Sequence, residues 1–142
     1  MDEIDGRLVP KHNFHLTLVF LGNQDAQRIA EIQSIGDAVS GRPFNLSLDR
    51  WGYFEGPRVL WLGAIPPLAC VALADGLSSS AGALGLEFQR RSFVPHLTVF
   101  RRVASPPKAF RFEPIKWTVR DFSLIESIPE KPYQLLRTWS LK

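Results

Sequence analysis

The chain has a single cysteine, Cys70, among its 142 residues. No intramolecular disulfide can form, and such a composition fits a reducing cytoplasm. Cys70 lies in an Ala/Leu-rich segment that reads as helix, where a free thiol packs as a small apolar side chain. No apolar run approaches the length of a bilayer span, and the N-terminus lacks the hydrophobic region of a signal peptide. Histidine and threonine are also scarce, with three of the first and four of the second. What remains is ordinary for one soluble globular domain: 45% hydrophobic residues and a mean hydropathy near zero.

The scarce residues are not scattered. His15-Leu16-Thr17-Leu18 near the start and His96-Leu97-Thr98-Val99 further on repeat one pattern, using two of the three histidines and two of the four threonines. In shuffled chains of this composition, two such copies with apolar residues at both flanking positions arise roughly once in ten thousand. Side chains alternate along an extended strand, so each copy sets an imidazole and a hydroxyl on one face and apolar residues on the other. Phe14, Leu16, Leu18 and Phe20 form one such apolar face; Phe93, Leu97 and Val99 form its counterpart. A strand anchored by its back holds front-face groups closely, as catalysis requires.

Charge is uneven. The net charge is only +3, yet residues 88–112 hold Arg90, Arg91, Arg101, Arg102, Lys108 and Arg111 without one acidic side chain. A basic zone around the second motif points to a polyanionic substrate, nucleic acid or nucleotide first.

Residues 13–21 read as a strand ended by Gly22-Asn23, and residues 25–39 as a helix with Gly41 just beyond it. Residues 44–51 alternate as a strand, and Glu55-Gly56-Pro57 turns the chain into a partner at 58–64. Pro66-Pro67 opens a second helix over 68–84. The second motif strand spans 93–101, a loop follows around Ser105-Pro106-Pro107, and 116–126 pairs with 134–141. Each motif is followed by one hairpin, as in an internal duplication. Two mixed lobes around a cleft would then bring the two histidines together.

Two facing histidines suit proton transfer at neutral pH: one takes a proton from the attacking oxygen, the other gives one to the leaving oxygen. The threonine hydroxyls can hold the non-bridging oxygens of a phosphoryl group as charge builds there. A zinc site needs a third ligand, and no His/Cys/Asp/Glu cluster adjoins either motif, so neither metal nor cofactor is expected. His12 lacks a threonine partner and reads as a loop residue. No nucleophile-elbow pattern supports a serine triad.

The contexts Asn13-Phe-His-Leu-Thr-Leu-Val-Phe-Leu-Gly22 and Phe93-Val-Pro-His-Leu-Thr-Val-Phe-Arg101 resemble the two-histidine phosphoesterases. Within them the chain looks like the bacterial RNA 2',3'-cyclic phosphodiesterases, also called 2'-5' RNA ligases. The resemblance implies an α+β bilobal fold, two antiparallel sheets flanking a central cleft with helices outside, over a single domain spanning 1–142. Relatives of this kind begin with a further strand and helix ahead of the first motif, which this sequence is expected to lack. It also implies opening of a 2',3'-cyclic phosphate at RNA ends to a 2'-phosphomonoester, with ligation as the reverse-type activity.

By the same resemblance His15 is the proton donor, His96 the proton acceptor, and Thr17 and Thr98 hold the phosphate. Arg101 matches the arginine that follows the second motif. Strict alternation puts it on the face opposite His96, so its role needs a bulge or a strand end; Arg102 is the substitute. Trp51, Tyr53 and Phe54 are base-stacking candidates, with a core role open for Trp51. Two other readings stay open: a non-catalytic RNA- or nucleotide-binding module, and a hydrolase of a small cyclic phosphate.

Overall fold

The computed structural model describes residues 4–89 and 92–142. Its elements, in chain order, are β1 (Arg7–Leu8), α1 (Ile29–Ala38), β2 (Phe44–Leu48), β3 (Arg50–Phe54), β4 (Val59–Gly63), α2 (Leu68–Ala83), β5 (His96–Arg101), β6 (Ile115–Val119), β7 (Asp121–Glu126) and β8 (Gln134–Ser140). Helices and antiparallel ladders mix as an α+β fold. Among the described residues no helix is long and apolar enough to cross a membrane.

By contacts the chain divides into two compact units. One comprises Met1–Thr17, Leu46–Ile65 and Val94–Trp117; the other comprises Leu18–Asn45, Pro66–Phe93 and Thr118–Lys142.

The first unit is built on a four-stranded sheet in the order β1-β5-β4-β3. The Glu55-Gly56-Pro57 turn closes β3 on β4 as the sequence predicts, with Trp51 opposite Leu62 and Gly52 opposite Trp61. The alternation of β4 drives Leu60 and Leu62 into the core, where they are 0% and 5% exposed. Burial of each such leucine contributes about 1.5–3 kcal/mol. β4 then pairs with β5, setting Gly63 opposite His96, Leu62 opposite Leu97 and Trp61 opposite Thr98. The register shifts at the next step, where Leu60 faces Phe100, so Val99 is one residue extra on β5. β1 covers the other edge of β5, with Arg7 opposite Arg101 and Leu8 opposite Phe100.

The first motif departs from its expected form. In place of a strand over 13–21, a 3-10 turn at Lys11–Asn13 leads to a single bridge, Leu16 to Leu97, and the chain bends at Leu18. The turn and the bend leave too little extended backbone for a ladder. The expected apolar face is broken as well, since Phe14 is 37% and Phe20 66% exposed. His12 lies in the turn, exposed, as a loop residue would.

In the second unit α1 and α2 enclose Ile32, Ile35, Ala81 and Leu86, with Leu21, Leu77 and Phe88 packed around them. The 25–39 helix begins as a 3-10 turn whose cap, Asp25, accepts from the Gln27 N–H. α2 matches its predicted span, and Cys70 within it is fully buried. β7 and β8 form the final hairpin, where Phe122 stacks on Trp139.

Two predicted strands are each interrupted. Residues 44–51 split at Asp49 into β2 and β3, and residues 116–126 split at Arg120 into β6 and β7. β2 then pairs with β6 in a separate two-stranded sheet.

Candidate active site

Both motifs fall in the first unit. The duplication reading assigns one to each half of the chain; the structure brings them into neighbouring positions along β5. The Leu16–Leu97 bridge fixes their register. One residue either side, His15 stands opposite Thr98 and Thr17 opposite His96. Leu16 and Leu97 share one face, so alternation puts both histidines and both threonines on the other. The four residues thus make a two-by-two patch, each half-buried. Directly opposed residues are neighbours and the two histidines are diagonal ones, about 7–8 Å apart at the backbone.

The rings are held alike. Nδ1 of His15 lies 2.7 Å from the Asn13 carbonyl, and Nδ1 of His96 lies 2.7 Å from the Val94 carbonyl. A carbonyl only accepts, so each Nδ1 carries a proton and donates it. Each Nε2 is then the ring atom that can accept when the ring is neutral and donate when it is charged.

His96 has a further support. Its ring meets Phe54 nearly perpendicular, centroids 5.2 Å apart at 87°, and Trp61 at 6.0 Å. Phe54 and Trp61 also pack on each other at 5.2 Å. Phe54, a base-stacking candidate by sequence, is here a wall of the His96 site. The other two candidates lie elsewhere. Trp51 stands opposite Leu62, on the face away from His96, and meets Phe110 edge-on. Tyr53 stands opposite Leu60 and donates its hydroxyl to the Val103 carbonyl at 2.7 Å. Sequence reasoning misses Trp61, because only its register opposite Thr98 reveals it.

Strict alternation places Arg101 behind the sheet unless a bulge intervenes, and the bulge is there. Trp61 shares a face with Thr98, and Leu60 shares the opposite face with Phe100. The extra Val99 resets the alternation, so Arg101 falls on the face of His96 and Thr98. Arg102, the substitute, is already past the strand in a left-handed conformation with φ of 56°.

Of the other basic residues, Arg111 lines a hollow beside β3 together with Asp49, Trp51, Phe110, Phe112 and Glu113. Arg90 and Arg91 lie outside the described residues. Among the described residues no three His, Cys, Asp or Glu side chains gather as a metal site.

This sheet-borne pair of His/Thr motifs is the candidate site, and comparison with known proteins gives the class of the chain. The model of the 2'-5' RNA ligase superfamily matches residues 3–128. The RNA 2',3'-cyclic phosphodiesterase of Escherichia coli strain K12 is 33% identical across 96% of this chain and 80% of its own length. That of Thermus thermophilus is also 33% identical, over 94% of this chain and 75% of its own. Crystal structures of E. coli LigT with 3'-AMP and of a phosphoesterase superpose with TM-scores of 0.80 and 0.82, at 31% and 33% identity. Each covers 96% of this chain and 81% of the other. The chain belongs to the 2'-5' RNA ligase superfamily.

Proposed function

We propose that this chain is a metal-independent RNA 2',3'-cyclic phosphodiesterase of the cytoplasm, acting on RNA ends or nucleotides that carry a 2',3'-cyclic phosphate. One observation carries the reading: the Leu16–Leu97 bridge gathers two imidazoles and two hydroxyls on one sheet face, with both Nδ1 atoms tied to backbone carbonyls. The similarity to curated cyclic phosphodiesterases supports the substrate.

In this mechanism neutral His96 takes a proton through Nε2 from water as its oxygen attacks phosphorus. The bond from phosphorus to the 3'-oxygen breaks, and protonated His15 supplies the proton that oxygen needs. The products are a 2'-phosphomonoester and a free 3'-hydroxyl. Thr17 and Thr98 donate to the non-bridging oxygens as negative charge builds there. With an RNA 5'-hydroxyl attacking in place of water, the same groups form the bond from phosphorus to the 5'-oxygen as the bond to the 3'-oxygen breaks, joining ends through a 2'-5' linkage.

The test is hydrolysis of adenosine 2',3'-cyclic phosphate in EDTA, followed by 31P NMR. A 2'-phosphomonoester is the expected product, and His15→Ala and His96→Ala should each lose about 10²–10⁴-fold in kcat. Full activity in both variants would overturn the assignment.

A further inference from the structure

Arg7 and Arg101 stand directly opposite each other on β1 and β5. Because the Val99 bulge turns Arg101 to the histidine face, its cross-strand partner Arg7 lies on that face too. Like charges so placed repel, and an anion between them relieves that repulsion. Among the described residues the ion pairs use Arg28, Arg50 and Arg137, and none involves Arg7 or Arg101. Both arginines are exposed.

The pairing is closely fitted. A Cβ on Gly6 would lie 2.9 Å from both the Arg101 carbonyl oxygen and Val103 Cγ2, so only glycine lets β1 approach the end of β5 this nearly. Arg7 is held beside Arg101 by backbone packing that any side chain at position 6 would disturb.

Position along the strand decides what the pair can reach. Arg101 follows Thr98 by three residues, less than about 10 Å along β5. The His/Thr patch already supplies the groups that the reacting phosphorus needs. The arginines form a second anionic station beside it on the same face. A 2',3'-cyclic phosphate ends an RNA chain at its 3' side, so the next anion in the substrate is the phosphodiester on the 5' side of that nucleotide.

We propose that Arg7 and Arg101 together bind this neighbouring phosphodiester and so make the site prefer oligonucleotide ends to mononucleotides. Two guanidinium forks suit a phosphodiester's two free oxygens. The inference rests on the phosphodiesterase reading and extends it to the length of the substrate.

The experiment compares adenosine 2',3'-cyclic phosphate with the dinucleotide ApA ending in the same cyclic phosphate, for the full chain and for Arg7→Gln. The substitution should lower kcat/KM for the dinucleotide roughly tenfold more than for the mononucleotide, chiefly through KM. It should also flatten the salt dependence of dinucleotide turnover by about one unit of log–log slope. Equal losses on both substrates would assign Arg7 to the reacting phosphate and overturn the proposal, as would no loss on either. Arg7→Lys keeps the charge without the fork and should fall between the two; it serves also if the glutamine variant fails to fold. Should the unmodified chain hydrolyse neither substrate, the phosphodiesterase reading fails. Equilibrium binding of ApA bearing a 2'-phosphate, with and without Arg7→Gln, then decides the arginine pair separately: weaker binding supports it, and equal binding overturns it.

Discussion

The indole of Trp61 lies directly over Gly52, its partner across the β3–β4 ladder, and fills the space that a Cβ on Gly52 would need. The same ring crowds Gly63, where a Cβ would meet its Cζ3 at 2.6 Å. Two glycines on neighbouring strands therefore make a flat seat for the indole, and the seated indole backs the His96 ring. Backbone geometry two strands away thus reaches the proposed base.

Gly52→Ala should unseat the indole. Overpacking of this kind costs about 1–3 kcal/mol, read as a lower urea midpoint. The displaced indole should also lower kcat more than the fold is weakened. Trp61→Phe, which keeps an aromatic wall with a smaller ring, should retain more activity than Trp61→Ala. Equal kcat in Gly52→Ala and the unmodified chain would show that His96 keeps its position without Trp61.

The assigned roles of the histidines predict a bell-shaped profile of kcat/KM against pH, since one ring must be neutral while the other is charged. The residual activity of His96→Ala should lack the acid-side limb, because no base remains to be protonated. That of His15→Ala should lack the alkaline limb. The opposite assignment of limbs would exchange the two roles.

Much of this site can be read from the sequence, because the His/Thr repeat needs only period-two alternation to put each imidazole beside a hydroxyl. The β3–β4 hairpin and α2 are equally plain, one marked by Glu55-Gly56-Pro57 and the other by Pro66-Pro67. Quantities set by register are not. Arg101 changes face through one extra residue, Val99, and Trp61 and Arg7 join the histidine face through pairings between distant segments. The strand expected over 13–21 fails for a related reason. Its alternation is sound, but Phe14 and Phe20 find no layer to bury them, and one bridge to Leu97 is all that forms. Alternation gives a residue's side of its own strand; only the partner strand says what that side faces.

Asp37 ties α1 to β8 in the second unit. It accepts from the Trp139 indole at 2.9 Å and pairs with Arg137 at 2.8 Å, while Arg137 lies 5.3 Å from the Trp139 ring centre. The pair is about half exposed, so solvent screens most of its Coulomb energy, and the indole hydrogen bond is the larger loss. Asp37→Ala should cost about 1 kcal/mol in urea unfolding, and Asp37→Asn less, since the amide oxygen still accepts from the indole. kcat should not change in either.

Among the described residues Cys70 supplies the one titration shift that burial makes clear. The thiol is 0% exposed, and desolvation pushes it up to about 11 from an ordinary 9.0. The folded chain therefore holds this proton over a range in which the unfolded chain releases it. Below pH 9 both states are protonated and the group adds no pH dependence. Between about 9 and 11 the unfolded state gains by ionising, so stability falls as pH rises. Other groups also titrate there, so the measurement is a difference: urea midpoints at pH 8 and pH 10.5 for the unmodified chain and for Cys70→Ala. The unmodified chain should lose more stability across that interval than the alanine variant does. Under native conditions the same burial should keep the thiol unreactive toward a disulfide reagent until the chain unfolds. Rapid labelling of the folded protein at pH 8 would show that α2 opens without global unfolding.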